Sequence, residues 1–244
     1  MEAGIEKTIN RYNRPARITM GHSAANCARC PFKISDRICR EESGKSPDFC
    51  PTANLTELAE RSLDVYRNDS DVCEFARQAS IQEGSGYGNR DKGYEHVRPI
   101  KTRIEEIIEF AGRMKYKRLG MAFCVGLRKE AKAVENLISS HGFEMISVVC
   151  KVGRSSKEII GLARDEQIDA SKDEAMCNPI LQAMVLNHEK TDFNILLGLC
   201  VGHDSMFFKY SEALCTVLAV KDRVLGHNPL AAIYNLDSYY RSLK

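Results

Sequence analysis

The sequence predicts an α/β fold, a Rossmann-like parallel sheet of about four strands with flanking helices, preceded by a cysteine-rich module and a helical segment. Three observations carry that expectation. From residue 116 onward, short aliphatic runs alternate with helix-length amphipathic stretches, the pattern of right-handed β-α-β crossovers. The run Phe193-Asn194-Ile195-Leu196-Leu197 is too short for a helix and lacks a 3.6-residue period, so it reads as an interior strand. Four of the ten cysteines crowd between residues 27 and 50, ahead of the first helix.

Taken in order, residues 1–54 form an N-terminal arm and a four-cysteine module, 55–115 a helical segment, and 116–244 the α/β domain. The arm, residues 1–26, is polar, with Pro15 and a Gly21-His22-Ser23 turn. Cys27-Ala28-Arg29-Cys30 is a Cys-x-x-Cys loop whose sulfurs can face one ion, and Cys39 and Cys50 follow after eight and ten intervening residues. Four thiolates complete either a zinc site or a [4Fe-4S] cluster. The spacing lacks the second Cys-x-x-Cys of a zinc ribbon, and Cys50-Pro51 resembles the end of a ferredoxin-type run, so both ions stay open, as do four unligated thiols.

From Thr52 the chain reads as helix, with Asn54 as cap and Leu55, Leu58, Ala59, Leu63 and Tyr66 as an apolar stripe. A second helix, Asp71 to Gln82, carries Val72, Phe75, Ala76 and Ala79, with Cys73 as a core thiol beside them. Glu83 to Asn89 is a glycine-rich connector; it follows a helix and lacks the Lys-Ser/Thr pair of a phosphate loop. A helix over Pro99–Met114 precedes the sheet. Strands are expected at Leu119–Val125, Met145–Val149, Phe193–Leu199 and Leu214–Val220. Helices are expected at Glu130–Ser140, Ser155–Arg164, Pro179–His188 and Pro229–Tyr240. No Gly-x-Gly-x-x-Gly signature is present.

Composition limits the function classes. A hydrophobic share of 43% with 28% charged residues is that of a soluble globular protein. The net charge of +2, both signs interspersed, gives no footprint for nucleic acid or an anionic membrane. No stretch approaches the roughly eighteen apolar residues of a membrane span. Glu2, Glu6, Lys7 and Arg11 replace the apolar core of an export signal, so the expected location is the cytoplasm. There, cysteines read as reduced thiols available for metal ligation or redox chemistry.

Open parallel sheets bind ligands beyond the carboxyl ends of their strands. The predicted first strand delivers Cys124 to that edge, and the second Cys150 and Lys151, followed by Gly153-Arg154-Ser155-Ser156, where a serine can cap a helix whose amides hold an anion. The third delivers Cys200, His203 and Asp204; the fourth delivers Lys221, Asp222, Arg223 and then His227. Cys177-Asn178-Pro179 precedes a helix start that favours thiolate. Cys124, Cys177 and Cys200 together suit a second metal or iron–sulfur site with an open coordination position. His203 or His227 would transfer protons, Asp204 or Asp222 would orient the imidazole, Lys151, Lys221 and Arg223 would hold a small anionic substrate, and Ser155 would sit in the cofactor-binding turn. The bland alternative is that small cysteines pack well at strand ends and that Lys221-Asp222-Arg223 is a solvated turn. Cys215, near the start of its strand, belongs to the core; His96, His141 and His188 read as exposed or capping residues.

The sequence resembles the cysteine-rich metal-binding proteins of unknown function found mainly in anaerobic bacteria and archaea. The likeness rests on Cys27-Ala28-Arg29-Cys30 with Cys50-Pro51, Ala122-Phe123-Cys124-Val125-Gly126-Leu127, Cys150-Lys151-Val152-Gly153, Cys177-Asn178-Pro179, Gly198 to Asp204, and Lys221-Asp222-Arg223 through His227-Asn228-Pro229. It implies metal binding through cysteine, shifts the balance from zinc toward iron, and brings no reaction with it. Two functions follow. One is a metal- or iron–sulfur-dependent enzyme of redox, sulfur or small-anion chemistry with a thiol-rich crevice. The other is a non-catalytic metal or cluster carrier or sensor in which only the N-terminal module binds metal. Nucleic-acid binding is weaker, because Arg29, Lys33, Arg37, Arg40 and Lys45 are offset by Asp36, Glu41, Glu42 and Asp48. No heptad run or exposed stripe indicates an oligomeric state.

Overall fold

The computed structural model describes residues 24–244. The expected arm falls almost entirely outside the described residues, as do the charges at 2–11 used to argue against an export signal. The chain divides into two compact units, Met1–Glu74 and Phe75–Lys244.

Within the described part of the first unit, two single-turn 3-10 segments at Cys27–Arg29 and Ile34–Asp36 precede helices α1 (Pro51–Asn54) and α2 (Thr56–Asn68). Pro51 fits the first turn of α1, where its missing N–H costs no hydrogen bond. Asn54 does not cap α2 as expected. It ends α1, and its side-chain amide donates to the Asp48 carbonyl. No residue from 24 to 74 is buried, so Leu58, Leu63 and Tyr66 stand exposed and Cys73 is not a core thiol.

Helix α3 (Ser70–Ser85) carries the unit boundary, and its part from Phe75 belongs to the second unit. Strands β1 (Tyr87–Gly88) and β2 (Arg98–Pro99) then form an antiparallel pair. Pro99 is therefore in a strand, and helix α4 runs from Arg103 to Arg113. It starts there because the Glu105 carboxylate reaches back to the Thr102 N–H at 2.7 Å.

The main sheet contains β3 (Arg118–Phe123), β4 (Glu144–Val149), β5 (Phe193–Leu199) and β6 (Cys215–Val220), all parallel in the order β4-β3-β5-β6. Helices α5 (Arg128–Ser140), α6 (Pro179–His188), α7 (His203–Tyr210) and α8 (Leu230–Tyr234) complete the unit. Every residue of β5 is buried, as its apolar run predicts. Asn194 is tolerated there because its side chain accepts from Thr191 Oγ1 at 2.8 Å and donates to Ser211 Oγ at 2.8 Å. Gly120, its register partner on β3, makes the room: a Cβ there would lie 2.0 Å from Asn194 Oδ1. The core joins α4 to this sheet through Ile107, Phe110, Leu119, Phe193 and Ile195.

Two expected helices are corrected. Over 155–164 the chain makes only 3-10 turns, at Lys157–Ile160 and Arg164–Glu166. Ile159 and Ile160 are exposed, so the segment buries no apolar face, and short helices depend on such packing. The closing helix is confined to Leu230–Tyr234, followed by Asn235, Asp237 and Ser238, which favour turns over helix. Among the described residues no helix is long and apolar enough to cross a membrane.

Because β4 lies on one side of β3 while β5 and β6 lie on the other, successive crossovers diverge between β3 and β5. Chains leaving neighbouring strands in opposite directions open a crevice at their carboxyl ends.

Candidate functional site

Cys124 follows β3, and its N–H donates to the Leu197 carbonyl of β5 at 3.1 Å. Cys150 follows β4 and extends the ladder, its N–H donating to the Phe123 carbonyl at 2.9 Å. Its thiol is only 3% exposed, and the sulfur accepts the Val125 N–H at 3.3 Å. The Asn178 N–H donates to the Cys150 carbonyl at 2.8 Å, which brings Cys177 alongside Cys150 from the far end of a long loop. Asn178 is fixed in turn as the cap of α6, its side chain accepting from the Leu181 N–H at 2.9 Å.

After β5 the chain turns through Gly202, at φ +84°, into α7, and the Cys200 carbonyl accepts the N–H groups of His203 and Asp204 at 3.0 and 3.2 Å. His203 thereby reaches Cys177. The half-buried Cys177 thiol interacts with the Cys150 and His203 side chains. Its proton is held weakly, its pKa drawn down to about 4, first by the hydrogen bond from Cys150, then by His203, with Lys151 adding a favourable charge against the cost of burial. Cys150 moves the opposite way: the bond to Cys177 and then burial push its thiol up, so it keeps its proton.

Of the remaining edge residues, some lie near the thiols or glycines of the edge and others hold the backbone. The Arg223 guanidinium donates to Cys200 Sγ at 3.1 Å. The Lys221 ammonium lies beside two glycines: a Cβ on Gly126 would stand 3.8 Å from Nζ and 3.9 Å from Cys124 Sγ, and one on Gly198 would stand 3.7 Å from Nζ. Lys151 is engaged by its own chain, donating to the Ala175 carbonyl and lying 3.7 Å from a Glu174 oxygen. Asp222 accepts the Val224 and Leu225 N–H groups at 3.0 and 2.8 Å, and His227, at φ +69°, has Nδ1 3.2 Å from the Asp222 nitrogen; both shape the loop after β6. Asp204 accepts the Ser205 N–H at 2.7 Å. Among the described residues no hydrogen bond joins Asp204 or Asp222 to His203. Ser155 accepts the Met176 N–H through its carbonyl at 2.8 Å, while the capping expected in that turn is done by Ser156, which accepts from the Glu158 N–H at 3.1 Å.

Cys150 is the member of the cluster that the expected metal set of Cys124, Cys177 and Cys200 left out. It was legible as an edge residue but not as a partner, because Cys177 arrives by a turn-built loop with no periodicity. Among the described residues no three His, Cys, Asp or Glu side chains form a group fit to hold a metal ion. That holds for the edge set and for Cys27, Cys30, Cys39 and Cys50, all of which are free thiols. The Cys27–Cys30 loop does close as a tight turn, the Cys30 N–H donating to the Cys27 carbonyl at 3.2 Å, and Cys50 sits at the start of α1, where the Ala53 amide pulls its thiol pKa down. Cys215 is only half-buried, with burial raising its pKa, and lies at the opposite end of β6, as expected from its place in the strand. A cavity of about 490 Å³ also opens near that amino end, lined by Phe75, Gln82, Phe110 and Thr216 among others. Of the charged groups lining it, Lys101 is paired with Glu109 and Arg103 donates to Thr216.

Fold and edge together define an α/β protein whose parallel sheet presents a paired thiol and imidazole at its carboxyl end. The chain belongs to the family described as Protein of unknown function (DUF1847), which matches residues 50–218. That range contains Cys124, Cys150, Cys177, Cys200 and His203; Cys27, Cys30 and Cys39 precede it and Lys221 to His227 follow it. Uncharacterized protein MJ0455 of Methanocaldococcus jannaschii is 51% identical over 140 residues, which cover 57% of this chain and 69% of that protein. No solved structure matches the chain at a significant level.

Proposed function

We propose that this protein performs thiol chemistry on a small anionic substrate at the carboxyl edge of its sheet, with Cys177 as nucleophile and His203 as its imidazole partner. The observation that carries this reading is that the Asn178–Cys150 backbone bond sets the half-buried Cys177 beside Cys150, where Cys150 and His203 both favour its thiolate. The thiolate is the reactive form of cysteine, and a neighbouring histidine is the usual means of keeping it ionised near neutral pH. Lys221 and Arg223 supply positive charge for an anion. The strand order, with its divergence between β3 and β5, supports reading the sheet as Rossmann-like and the crevice as its ligand site. Reduced thiols of this kind suit the cytoplasm.

Mapped alkylation tests the reading. With limiting iodoacetamide at about pH 6, where an ordinary thiol is almost wholly protonated, Cys177 is expected to label well ahead of Cys124 and Cys215. Labelling of Cys177 no faster than of those two would end the proposal.

A second reading, metal binding by Cys27, Cys30, Cys39 and Cys50, is favoured by one observation: the segment has tight turns but no buried residue. A short module without a core gains stability from an ion that draws its thiols together. Zinc or a [4Fe-4S] cluster would serve equally by ligand type. Metal and acid-labile sulfide content of protein purified without oxygen, compared with Cys27→Ser, tests it. Metal-free wild-type protein contradicts it.

A further inference from the structure

The geometry points to a disulfide, small and anionic, as the substrate class, exchanged with Cys150 and Cys177 acting as a pair; this rests on the thiol reading above. Three features argue for it. The two cysteines differ in access: Cys150 is buried with its sulfur against the Val125 N–H, whereas Cys177 is open enough to meet a substrate. They are held together by backbone as well as side chain, since the Asn178 N–H is bonded to the Cys150 carbonyl. A lone cysteine takes a disulfide only as far as a mixed disulfide, whereas its full two-electron reduction needs a second thiol, and there the exposed cysteine attacks while the sheltered one resolves. The cations fit the rest of the substrate, with Lys221 beside Gly126 and Gly198 and Arg223 on Cys200.

The exchange balances with the groups present. The Cys177 thiolate attacks one sulfur of R–S–S–R, forming a Cys177–S–S–R bond and releasing one RS⁻. Cys150 Sγ then attacks Cys177 Sγ as its proton passes to the departing sulfur, forming the Cys150–Cys177 disulfide and releasing the second thiol as RSH. The protein is oxidised by two electrons and the substrate reduced by two. Further turnover requires a separate dithiol reductant to return the pair to its starting state.

Oxidised glutathione, an anionic disulfide, is the probe, applied to the full-length reduced protein and read by intact mass and peptide mapping. Wild type is expected to become two hydrogens lighter, with the new bond mapped to Cys150–Cys177 and two glutathione thiols released per chain. Cys150→Ser is expected to stop one step earlier, carrying one glutathionyl group on Cys177; Cys150→Ala repeats the experiment with a side chain that leaves no buried hydroxyl. Cystamine, a cationic disulfide, should react about tenfold more slowly than oxidised glutathione. A stable glutathionyl adduct on wild-type Cys177, or an internal disulfide that omits Cys150, overturns the inference. Equal rates with cystamine overturn its anionic part. Rapid alkylation of Cys177 without any reaction with oxidised glutathione overturns this inference alone, whereas slow alkylation removes the thiol reading as well.

Discussion

Cys200, Val201, Gly202, His203 and Asp204 are neighbours in sequence, yet their functional side chains go to different partners. Cys200 meets Arg223, His203 meets Cys177, and Asp204 meets the Ser205 N–H. The reason is local geometry: successive side chains at a helix start splay by about 100°, so a compact motif is dispersed on folding. The sequence thus marks which residues reach the edge without telling which of them touch. Gly198 makes the same point. It lies in β5 at φ +67°, where the register with β6 shifts, and this bulge aims Leu199 and Cys200. A Cβ there would fall 2.2 Å from Leu127 Cδ1. Gly198→Ala is therefore expected to lower stability by about 2–4 kcal/mol, combining backbone strain with overpacking. Urea unfolding measures this, and a loss below about 0.5 kcal/mol would contradict it.

At the scale of elements, the four strands were legible because short buried parallel strands read as apolar runs between turn residues. The segment between β4 and α6 was not. It is held by contacts distant in sequence: Lys157 on Glu174 at 2.8 Å, the Ser156 hydroxyl donating to Asp173 at 2.6 Å, and Gln167 accepting the Glu174 N–H at 3.2 Å. No periodicity announces such a loop, and so the pairing of Cys150 with Cys177 stayed hidden. Helix α6 supports that pairing through Gln182, which is fully buried and donates from Nε2 to the Val148 carbonyl at 2.7 Å and the Phe123 carbonyl at 3.3 Å. Gln182→Leu removes both bonds at the ends of β3 and β4. It is expected to cost about 1–3 kcal/mol and to slow alkylation of Cys177 without touching it directly. Unchanged stability would show that these bonds do not hold the two strand ends.

For the molecule as a whole, the two units differ in what holds them. Every buried residue of the described chain lies in the second, including Ile107, Leu119, Ile138, Leu196 and Phe207. The segment 55–115, expected to be helical, holds helices and the β1–β2 pair and contributes to both units, because apolar stripes mark where helices run but not which core they join. A chain begun at Ser70 keeps α3 whole and all three apolar clusters. It is expected to unfold cooperatively with a Tm within about 5 °C of the full chain. A fragment without a cooperative transition would mean that the preceding residues complete its core.

The most direct measurement is the pH dependence of thiolate ultraviolet absorbance, taken as the difference between wild type and Cys177→Ser. With the Cys177 pKa lowered from the ordinary thiol value of 9.0 to about 4, its thiolate signal should be constant through neutral pH and disappear only as the pH falls toward that value. In a His203→Asn background the loss should move to higher pH, since one of the groups favouring the thiolate is gone. A Cys177 signal that already disappears between about pH 9 and 8, as for an unassisted thiol, would contradict the assignment of Cys177 as the nucleophile of this site.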